Sequence, residues 1–500
     1  MLKRLPLYPI LFSVFPVLSL AAYNTGEIAL DAVLRPLFVS LFGGLILFGL
    51  ASWILRDWDR AALAVLAVLF LFFIYGQVYN LVEDITFGNV SIFRHRTLLP
   101  VFGILLAALL FFIVRQLNQP RAFTLWLNLF SIFLLIYPMS KILLSVFQQE
   151  SADRSVQASY SQVAADVNRP DIYYIILDAY GREDVLQNLL GYDNREFLNS
   201  LRQRGFYVAD CSQSNYAYTE FSLTSSLNFD YIDNLDVSYS RSDRIALLKH
   251  SAIRSFFEAN GYKIVAFPTG WPYTEWQDAD LYLDFEHPVT ALSEFESLIL
   301  DTTALRVVSD FQSPNPGDAS KKDLRRLRVF SLLDNIKKLP RTEGDLFVFA
   351  HIVVPHFPYT FGPNGEVTEF RGKDATYEET AAAYVGQVQF INKEILNVVE
   401  VLIENSKTPP VIIIQGDHGP LPDLAPEGSH RMPVLNAYYL PGMQVDKILY
   451  PSITPVNSFR VILNSYFGQD LSLLEDHSYF APLEDRNEYQ LVPNTCLDKP

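Results

Sequence analysis

Cysteine is scarce in this sequence, and charged residues are almost absent from the long apolar runs at its start. Only two cysteines, Cys211 and Cys496, occur in 500 residues. One disulfide can therefore form, whereas a small fold that depends on several disulfides is excluded. The sequence leaves open whether these two residues are bonded to each other.

Positive charge is also in the minority. The formal net charge is −16 at pH 7, and the acidic residues are concentrated after the apolar region. This balance argues against a protein that binds nucleic acid, and against attachment to an anionic surface by electrostatics alone.

Long apolar runs are what the first 147 residues do contain. Five runs have lengths near the roughly 17 to 25 residues that a membrane-spanning helix needs. They lie at residues 7–23, 37–55, 61–81, 98–114 and 122–140. Helices of a soluble core rarely extend this far without a charge. We therefore predict a transmembrane domain of five helices at residues 1–147.

The basic residues of the short connections predict the orientation of these helices. Six basic residues would all face the cytoplasm if the amino terminus does, namely Lys3, Arg4, Arg56, Arg60, Arg115 and Arg121. The opposite set mixes both signs, with Arg35, Arg94 and Arg96 beside Glu27, Asp31, Glu83 and Asp84. Because basic connections tend to stay in the cytoplasm, the amino terminus is predicted there and the rest of the chain outside. Residues 2–22 also resemble a signal peptide, whose removal would not change the later orientation.

Strand and helix patterns alternate after a polar linker predicted at residues 148–169. Strand patterns occur at residues 171–177, 206–209, 262–267, 345–351, 411–414 and 434–440, and helical ones at 194–204, 219–228, 377–405 and 456–467. This alternation predicts an α/β fold with a doubly wound, mostly parallel sheet covered on both faces. Residues 170–500 are thus expected to form one exported domain.

Polar residues follow two of these strands directly. Asp178 follows the strand DIYYIIL, and the pair Asp417 and His418 follows VIIIQG. The glycines at 416 and 419 permit a turn there, which allows two adjacent side chains to face one ion. Because ligands of open α/β sheets bind at the carboxyl ends of strands, we expect these residues to meet at one edge.

A hydroxyl is predicted at the start of a short helix, where free N–H groups and the helix dipole stabilise an alkoxide or a bound phosphate. That residue is Thr219, which opens TEFSLTSSLN. It can also be a simple helix cap. The helix contains competing hydroxyls as well, at Ser222, Thr224, Ser225 and Ser226.

Together, Asp178, Thr219, Asp417 and His418 form a candidate set of ligands for one divalent cation. Three oxygens and an imidazole nitrogen favour Mn²⁺ or Zn²⁺, with Mg²⁺ also possible, and argue against Ca²⁺. Such an ion would lower the pKa of the threonine hydroxyl and neutralise phosphoryl charge.

Two further residues, His430 and Arg431 in GSHRMP, are predicted near the same edge. Either side chain can bind phosphate. Arg431 can equally be a partner in a surface ion pair, so its role stays open.

The order of four motifs resembles the alkaline phosphatase and sulfatase superfamily. These motifs are LDAYG, TEFSLTSSLN, HIVVPHFPY and GDHG, and the similarity covers residues from about 170 to 440. The five predicted spans look like the lipoteichoic acid synthase branch, whose members transfer phosphoglycerol through a phosphothreonine. The resemblance implies that Thr219 is the nucleophile, and that Asp178 stands where the branch usually has a glutamate. It implies that His356 and His351 hold the anionic group of the substrate.

The sequence departs from the superfamily pattern at two places. Sulfatases need a Cys or Ser in a C-x-P-x-R setting, whereas Cys211 lies in CSQSN without the proline and arginine. Two-metal members have a carboxylate near the position of HIVVPH, and none is present here. These departures argue against sulfatase activity and for a single metal ion.

Three functions follow as hypotheses. The first is a membrane-anchored transferase of phospho-alcohol groups, of the phosphoglycerol or phosphoethanolamine type, acting on a lipid or glycan phospho-ester. The second is a phosphodiesterase or sulfuric ester hydrolase of the same superfamily. The third is an exported binding domain without catalysis.

Overall fold

The computed structural model describes residues 5–25, 31–83, 85–87, 90–155, 169–235, 241–271, 273–285, 292–312, 316–368, 370, 372, 375–422, 424–425, 428–482, 488–494 and 496. The chain divides into two compact units. Met1–Gln148 and His287–Asp323 form the first unit, and Gln149–Glu286 and Leu324–Pro500 form the second.

The α-helices and β-strands of the described residues are numbered in chain order. The helices are α1 Tyr8–Tyr23, α2 Asp31–Leu55, α3 Trp58–Val82, α4 His95–Phe111, α5 Thr124–Ser155, α6 Glu183–Leu190, α7 Arg195–Gln203, α8 Thr219–Leu227, α9 Arg241–Lys249, α10 Ala252–Ala259, α11 Glu294–Thr302, α12 Arg306–Gln312, α13 Pro316–Ile336, α14 Tyr377–Asn405, α15 Val445–Ile448 and α16 Pro455–Phe467. The strands are β1 Thr86–Phe87, β2 Val90–Ser91, β3 Ile172–Leu177, β4 Tyr207–Val208, β5 Lys263–Ala266, β6 Leu281–Tyr282, β7 Leu346–Ile352, β8 Val411–Gly416, β9 Asn436–Tyr439, β10 Ser478–Phe480 and β11 Gln490–Val492.

Apolar helices make up most of the first unit. Within the described residues, four segments are long and apolar enough to cross a membrane, namely Ala32–Leu55, Trp58–Val82, His95–Gln116 and Pro120–Val146. Helix α1 is apolar too, although it has only 16 residues. The predicted amino-terminal bundle of apolar helices is confirmed. The predicted linker at 148–169 is helical as far as Ser155, and residues 156–168 lie outside the described residues.

Two short helices from the middle of the chain, α11 and α12, belong to the first unit. Their connecting backbone packs directly on α3, where a Cβ at Gly76 would lie 2.3 Å from the carbonyl carbon of Thr302. The Ala304 N–H also donates to the Phe72 carbonyl at 2.8 Å. Our prediction placed this segment in the exported domain, and no sequence pattern indicated that it packs on α3.

A seven-stranded sheet forms the centre of the second unit, in the order β4-β9-β8-β3-β7-β5-β6. Strand β3 pairs in parallel with β7 and β8, whereas β9 runs antiparallel to β8 and β4. Side chains of β3 alternate between two buried clusters: Tyr173 packs with residues of α7 and α14, and Tyr174 packs with residues of α8, α10 and α16. Both faces are therefore covered by helices, and the predicted doubly wound, mostly parallel sheet is confirmed.

The strand register brings the polar strand ends to one edge. Leu177, at the end of β3, lies opposite Gly416 of β8 and Ile352 of β7. Asp178 and Asp417 are the next residues of their strands, so they leave the sheet side by side.

Candidate functional site

The carboxylate of Asp417 connects the ends of β3 and β8. Its Oδ1 accepts hydrogen bonds from the backbone N–H groups of Ala179 at 3.0 Å and His418 at 2.9 Å. A Cβ at Gly416 would lie 2.5 Å from the Tyr180 carbonyl oxygen, so only glycine permits this close approach. The residues after both strands are therefore held together by one carboxylate oxygen, and Oδ2 remains for another partner.

The imidazole of His418 faces both aspartates. Its Nδ1 lies 2.8 Å from the Gly419 carbonyl oxygen, which requires a proton on Nδ1 and leaves the lone pair of Nε2 for a ligand. Nε2 lies 3.6 Å from Asp178 Oδ1 and 3.6 Å from Asp417 Oδ2. These three atoms point into one small space.

Thr219 is the first residue of α8, and its side chain lies near Asp417, where it favours the charged form of that carboxylate. The other hydroxyls of this helix bond elsewhere. Ser222 Oγ lies 3.0 Å from Ser214 Oγ, and the hydroxyls of Thr224, Ser225 and Ser226 donate to backbone carbonyls. Thr219 thus differs from its neighbours in lying close to Asp417.

Two histidines from the end of β7 border the same space. His351 Nε2 lies 3.3 Å from Asp178 Oδ2, and its Nδ1 lies 3.0 Å from Thr274 Oγ1. The His356 ring centroid is 6.1 Å from that of His418. The structure therefore brings both histidines close to the carboxylate of Asp178.

Burial and charge set the protonation states of this edge. Burial, followed by the negative charge of Asp178, raises the pKa of Asp417 to about 6. Burial alone would raise the pKa of Asp178 too, but the facing histidines hold it below its usual range. Burial and the charge of Arg431 lower the pKa of His418 to about 4. At neutral pH the site presents two carboxylates and a neutral imidazole, which is the state that binds a cation.

Unpaired buried atoms at this edge match the donors of a metal site. In the part of the chain that the structure describes, Asp178 Oδ1, Asp417 Oδ2 and His351 Nε2 are buried without a hydrogen-bond partner. Two groups of ligand atoms lie within 4.8 Å of one another, one from Asp178, His356 and His418 and one from Asp178, His351 and Asp417. Oxygen and imidazole donors in this arrangement fit a divalent cation.

Arg431 lies between the segment that precedes Thr219 and the turn that contains His418. It is 3% exposed, and its Nη2 donates to the Ala217 carbonyl at 2.7 Å. The same nitrogen lies 3.4 Å from His418 Nδ1, and the guanidinium lies 5.2 Å from the centre of the Tyr218 ring. The arginine therefore holds the residues just before Thr219, and its guanidinium lies beside the protonated Nδ1 of His418.

His430 lies beside Arg431 in the 3₁₀ turn Gly428–Arg431 and is half-buried. Its carbonyl oxygen would lie 2.9 Å from a Cβ at Gly419. The backbone of this turn thus packs against the turn that carries Asp417 and His418.

The two cysteines are joined by a disulfide, with their Cα atoms 5.4 Å apart. Cys211 lies in the loop before α8, and Cys496 lies near the end of the chain. In this state Cys211 has no free thiol for chemistry.

One residue of the site, Tyr384 of α14, was not expected from the sequence. Its hydroxyl donates to the Ala179 carbonyl at 2.8 Å and accepts from the Gly181 N–H at 3.2 Å. These bonds support the turn after Asp178, where Ala179 has a φ of +66°. The helical pattern of 377–405 predicts the helix but does not show which of its residues reaches a distant turn.

One protein family matches the part of the chain that contains these residues. A family model described as Sulfatase matches residues 170–456, a region that includes every residue of the candidate site. No curated protein matches the chain significantly.

Several solved structures are similar to this chain at low sequence identity. The C-terminal periplasmic domain of EptC from Escherichia coli, in complex with Zn, is 11% identical with a TM-score of 0.45, covering 67% of this chain and 97% of its own. The integral membrane protein lipooligosaccharide phosphoethanolamine transferase A from Neisseria meningitidis is 14% identical with a TM-score of 0.40, covering 93% and 95%. A protein in the alkaline phosphatase superfamily from Vibrio parahaemolyticus is 9% identical with a TM-score of 0.38, covering 68% and 81%.

Proposed function

The chain belongs to the sulfatase family, and on this premise we propose that its second unit is a metal-dependent transferase of phospho-alcohol groups. The transferred group is of the phosphoglycerol or phosphoethanolamine type, and it is carried on Thr219 as a phosphothreonine. The observation that carries the proposal is the meeting of a helix-start hydroxyl with two buried carboxylates and a neutral imidazole.

The proposed ligands of a single divalent cation, Mn²⁺ or Zn²⁺ in preference to Mg²⁺, are Asp178, Thr219, Asp417 and His418. The cation would lower the pKa of the threonine hydroxyl and neutralise charge on the phosphoryl oxygens. The Thr219 side chain lies near Asp417, which is proposed to orient its oxygen. The free N–H groups at the start of α8 stabilise negative charge on that oxygen and on a phosphoryl group bound to it.

In the proposed reaction, the Thr219 oxygen forms a bond to phosphorus while the bond from phosphorus to the donor's leaving oxygen breaks. The donor leaves as an alcohol after taking up a proton. In the second half, the hydroxyl of the acceptor replaces Thr219, which regains its proton. His356 and His351 are proposed to hold the phosphoryl oxygens, and His430 and Arg431 are proposed to support anion binding from the opposite turn.

Sulfate ester hydrolysis is the alternative that the family description favours. It would need a cysteine or serine in a C-x-P-x-R setting that can become formylglycine, but Cys211 lacks that setting and is joined to Cys496 in a disulfide. A phosphodiesterase would use the same threonine with water as its acceptor. A binding domain without catalysis could hold the same cation but would not need a hydroxyl at the start of α8.

We further propose that the substrate is a lipid or glycan phospho-ester, and that the second unit works outside the cytoplasm. The charges of the connections between the apolar helices support this orientation. A lipid donor suits an enzyme whose first unit is embedded in the membrane.

The test is turnover by the full-length protein in lipid vesicles with a divalent cation. Labelled phosphatidylglycerol and phosphatidylethanolamine are compared with an aryl sulfate, for the wild type and for Thr219→Ala. We expect release of diacylglycerol from one of the lipids by the wild type only. Hydrolysis of the aryl sulfate alone, or full lipid turnover by Thr219→Ala, would rule out the proposed function.

A further inference from the structure

The loop that carries His356 is held by side chains that the proposed chemistry does not use. It follows β7 and includes residues 353–361. The carbonyl groups around His356, from Val353 to Phe357, accept hydrogen bonds from Arg325 of α13 and Gln387 of α14. Both helices therefore contribute to the conformation of one short loop.

Arg325 of α13 binds the loop on both sides of His356. Its Nη2 donates to the carbonyl oxygens of Val353 at 2.5 Å and His356 at 2.9 Å, and its Nη1 donates to that of Phe357 at 3.0 Å. A planar guanidinium can donate these three hydrogen bonds together because its N–H groups are fixed in one plane. A lysine ammonium carries all of its donors on one nitrogen. Arg325 thus fixes the direction of three carbonyl groups.

Gln387 of α14 binds the same loop and is fully buried. Its Nε2 donates to the carbonyl oxygens of Pro355 at 3.0 Å and His356 at 3.2 Å, while its Oε1 accepts from the Thr360 N–H at 2.8 Å. The His356 carbonyl therefore receives hydrogen bonds from two helices.

This backbone support determines where the His356 imidazole points. The side chain is only half-buried, and its Nδ1 is bonded to the Phe357 carbonyl of its own loop. The ring lies 5.5 Å from the Trp271 ring, and a ring nitrogen lies within 4.8 Å of ligand atoms of Asp178 and His418. Because the loop sets the direction of the ring, a shift of the loop would move His356 away from the site.

We propose that Arg325 is a positioning residue, which holds the loop so that His356 faces the phosphoryl group. This inference rests on the function proposed above. The two terminal nitrogens of Arg325 are engaged by backbone carbonyls, so its action on the substrate runs through His356. Because a displacement of about 1 Å can cost about 100-fold in rate, a modest movement of the loop is enough for a large effect.

The test is a double-mutant cycle on kcat/KM with Arg325→Met, His356→Ala and the combined variant. We expect Arg325→Met to lower kcat/KM about 10- to 100-fold. In the His356→Ala background the same change should cost less than about 3-fold, because residues that act through one another are not additive. Arg325→Lys should restore only part of the loss, and it takes the place of Arg325→Met in the cycle if that variant fails to fold.

Arg326 supplies the matched control, because it is the next residue of α13. It donates to the carbonyl of Thr360 at 3.0 Å, at the far end of the loop from His356, and to those of Gly365 at 2.8 Å and Glu366 at 3.2 Å, beyond the loop. Any loss from Arg326→Met should be the same in both backgrounds. Coupling to His356 as strong as that of Arg325→Met would overturn a role specific to Arg325.

Two readouts separate this inference from the proposed function. The cycle is repeated on the affinity for inorganic phosphate, measured by calorimetry, and Thr219→Ala is assayed in parallel. Equal losses from Arg325→Met in both backgrounds, or no loss at all, would overturn the positioning role while Thr219 remains essential. A wild type that neither turns over lipid nor binds phosphate would overturn both.

Discussion

At the scale of single residues, Asp417 uses its two carboxylate oxygens for different purposes. Oδ1 accepts two backbone N–H groups and belongs to the fold, whereas Oδ2 is buried and faces His418 Nε2 at 3.6 Å. An amide in place of the carboxylate keeps the first function, because its oxygen still accepts hydrogen bonds. The charge that a cation needs is lost.

Asp417→Asn therefore separates metal binding from folding. We expect metal content, measured by elemental analysis after dialysis at a fixed metal concentration, to fall by about 10-fold or more. The melting temperature without metal should rise, because one of two facing buried carboxylates becomes neutral. A variant that binds metal like the wild type would contradict the assignment of Asp417 as a ligand.

Single residues also show which parts of the site can be predicted from a sequence. Asp178, Asp417 and His418 were predicted because each directly follows a strand, and parallel strands bring their ends together. Tyr384 and Gln387 were not predicted, since each lies on one face of a long helix and reaches a loop that is distant in sequence. No local pattern marks such a residue. The contact of Arg325 with the loop that carries His356 was not predicted for the same reason.

At the scale of elements, the carboxyl-terminal hairpin β10–β11 supports the segment that leads to Thr219. The Tyr479 N–H donates to the Asn215 carbonyl at 2.8 Å, and the Tyr218 hydroxyl donates to the Ala481 carbonyl at 3.1 Å. The disulfide joins the region after this hairpin to the loop before α8. Both the hairpin and the disulfide thus restrain the segment before Thr219, the proposed nucleophile.

Removal of the disulfide should destabilise the second unit. We expect Cys496→Ala to lose about 2–4 kcal/mol, because the unfolded chain regains the freedom that the bond removes. The measurement is thermal unfolding with and without a reductant. The reductant should lower the melting temperature of the wild type to that of the variant and leave the variant unchanged. A reductant effect of equal size on both proteins would contradict this role.

Element positions were predicted well where a strand is buried on both faces. The patterns at 171–177 and 345–351 match β3 and β7 to within a residue at each end. Strand β6 was not predicted, because it has only two residues and both are partly exposed. A strand of that length has no pattern of its own and depends on its pairing with β5.

At the scale of the whole molecule, the alternation of strands and helices predicted the sheet, and the apolar runs predicted the helical bundle. The grouping of α11 and α12 with the first unit was not predictable, because their sequence has no long apolar run. Their packing depends on a glycine that lets two backbones approach, and glycine in an apolar helix has many explanations.

A methyl group at Gly76 tests this packing. Gly76→Ala would place its Cβ 2.3 Å from Thr302 backbone, whereas a Cβ at Gly49 of α2 meets nothing within 4 Å. We expect Gly76→Ala to cost about 1–3 kcal/mol in thermal unfolding of the detergent-solubilised protein. Gly49→Ala should match or slightly exceed the stability of the wild type, because alanine favours a helix more than glycine does. Equal melting temperatures for the two variants would contradict the close packing of this segment on α3.

The most direct test of the whole account is the mass of the peptide that contains Thr219. The full-length protein is mixed with phosphatidylglycerol or phosphatidylethanolamine and a divalent cation, quenched in acid, digested and examined by mass spectrometry. The account predicts an added phosphoglycerol or phosphoethanolamine group on Thr219, and none in Asp417→Asn or Thr219→Ala. An adduct on another residue, or lipid turnover without any adduct on Thr219, would contradict it.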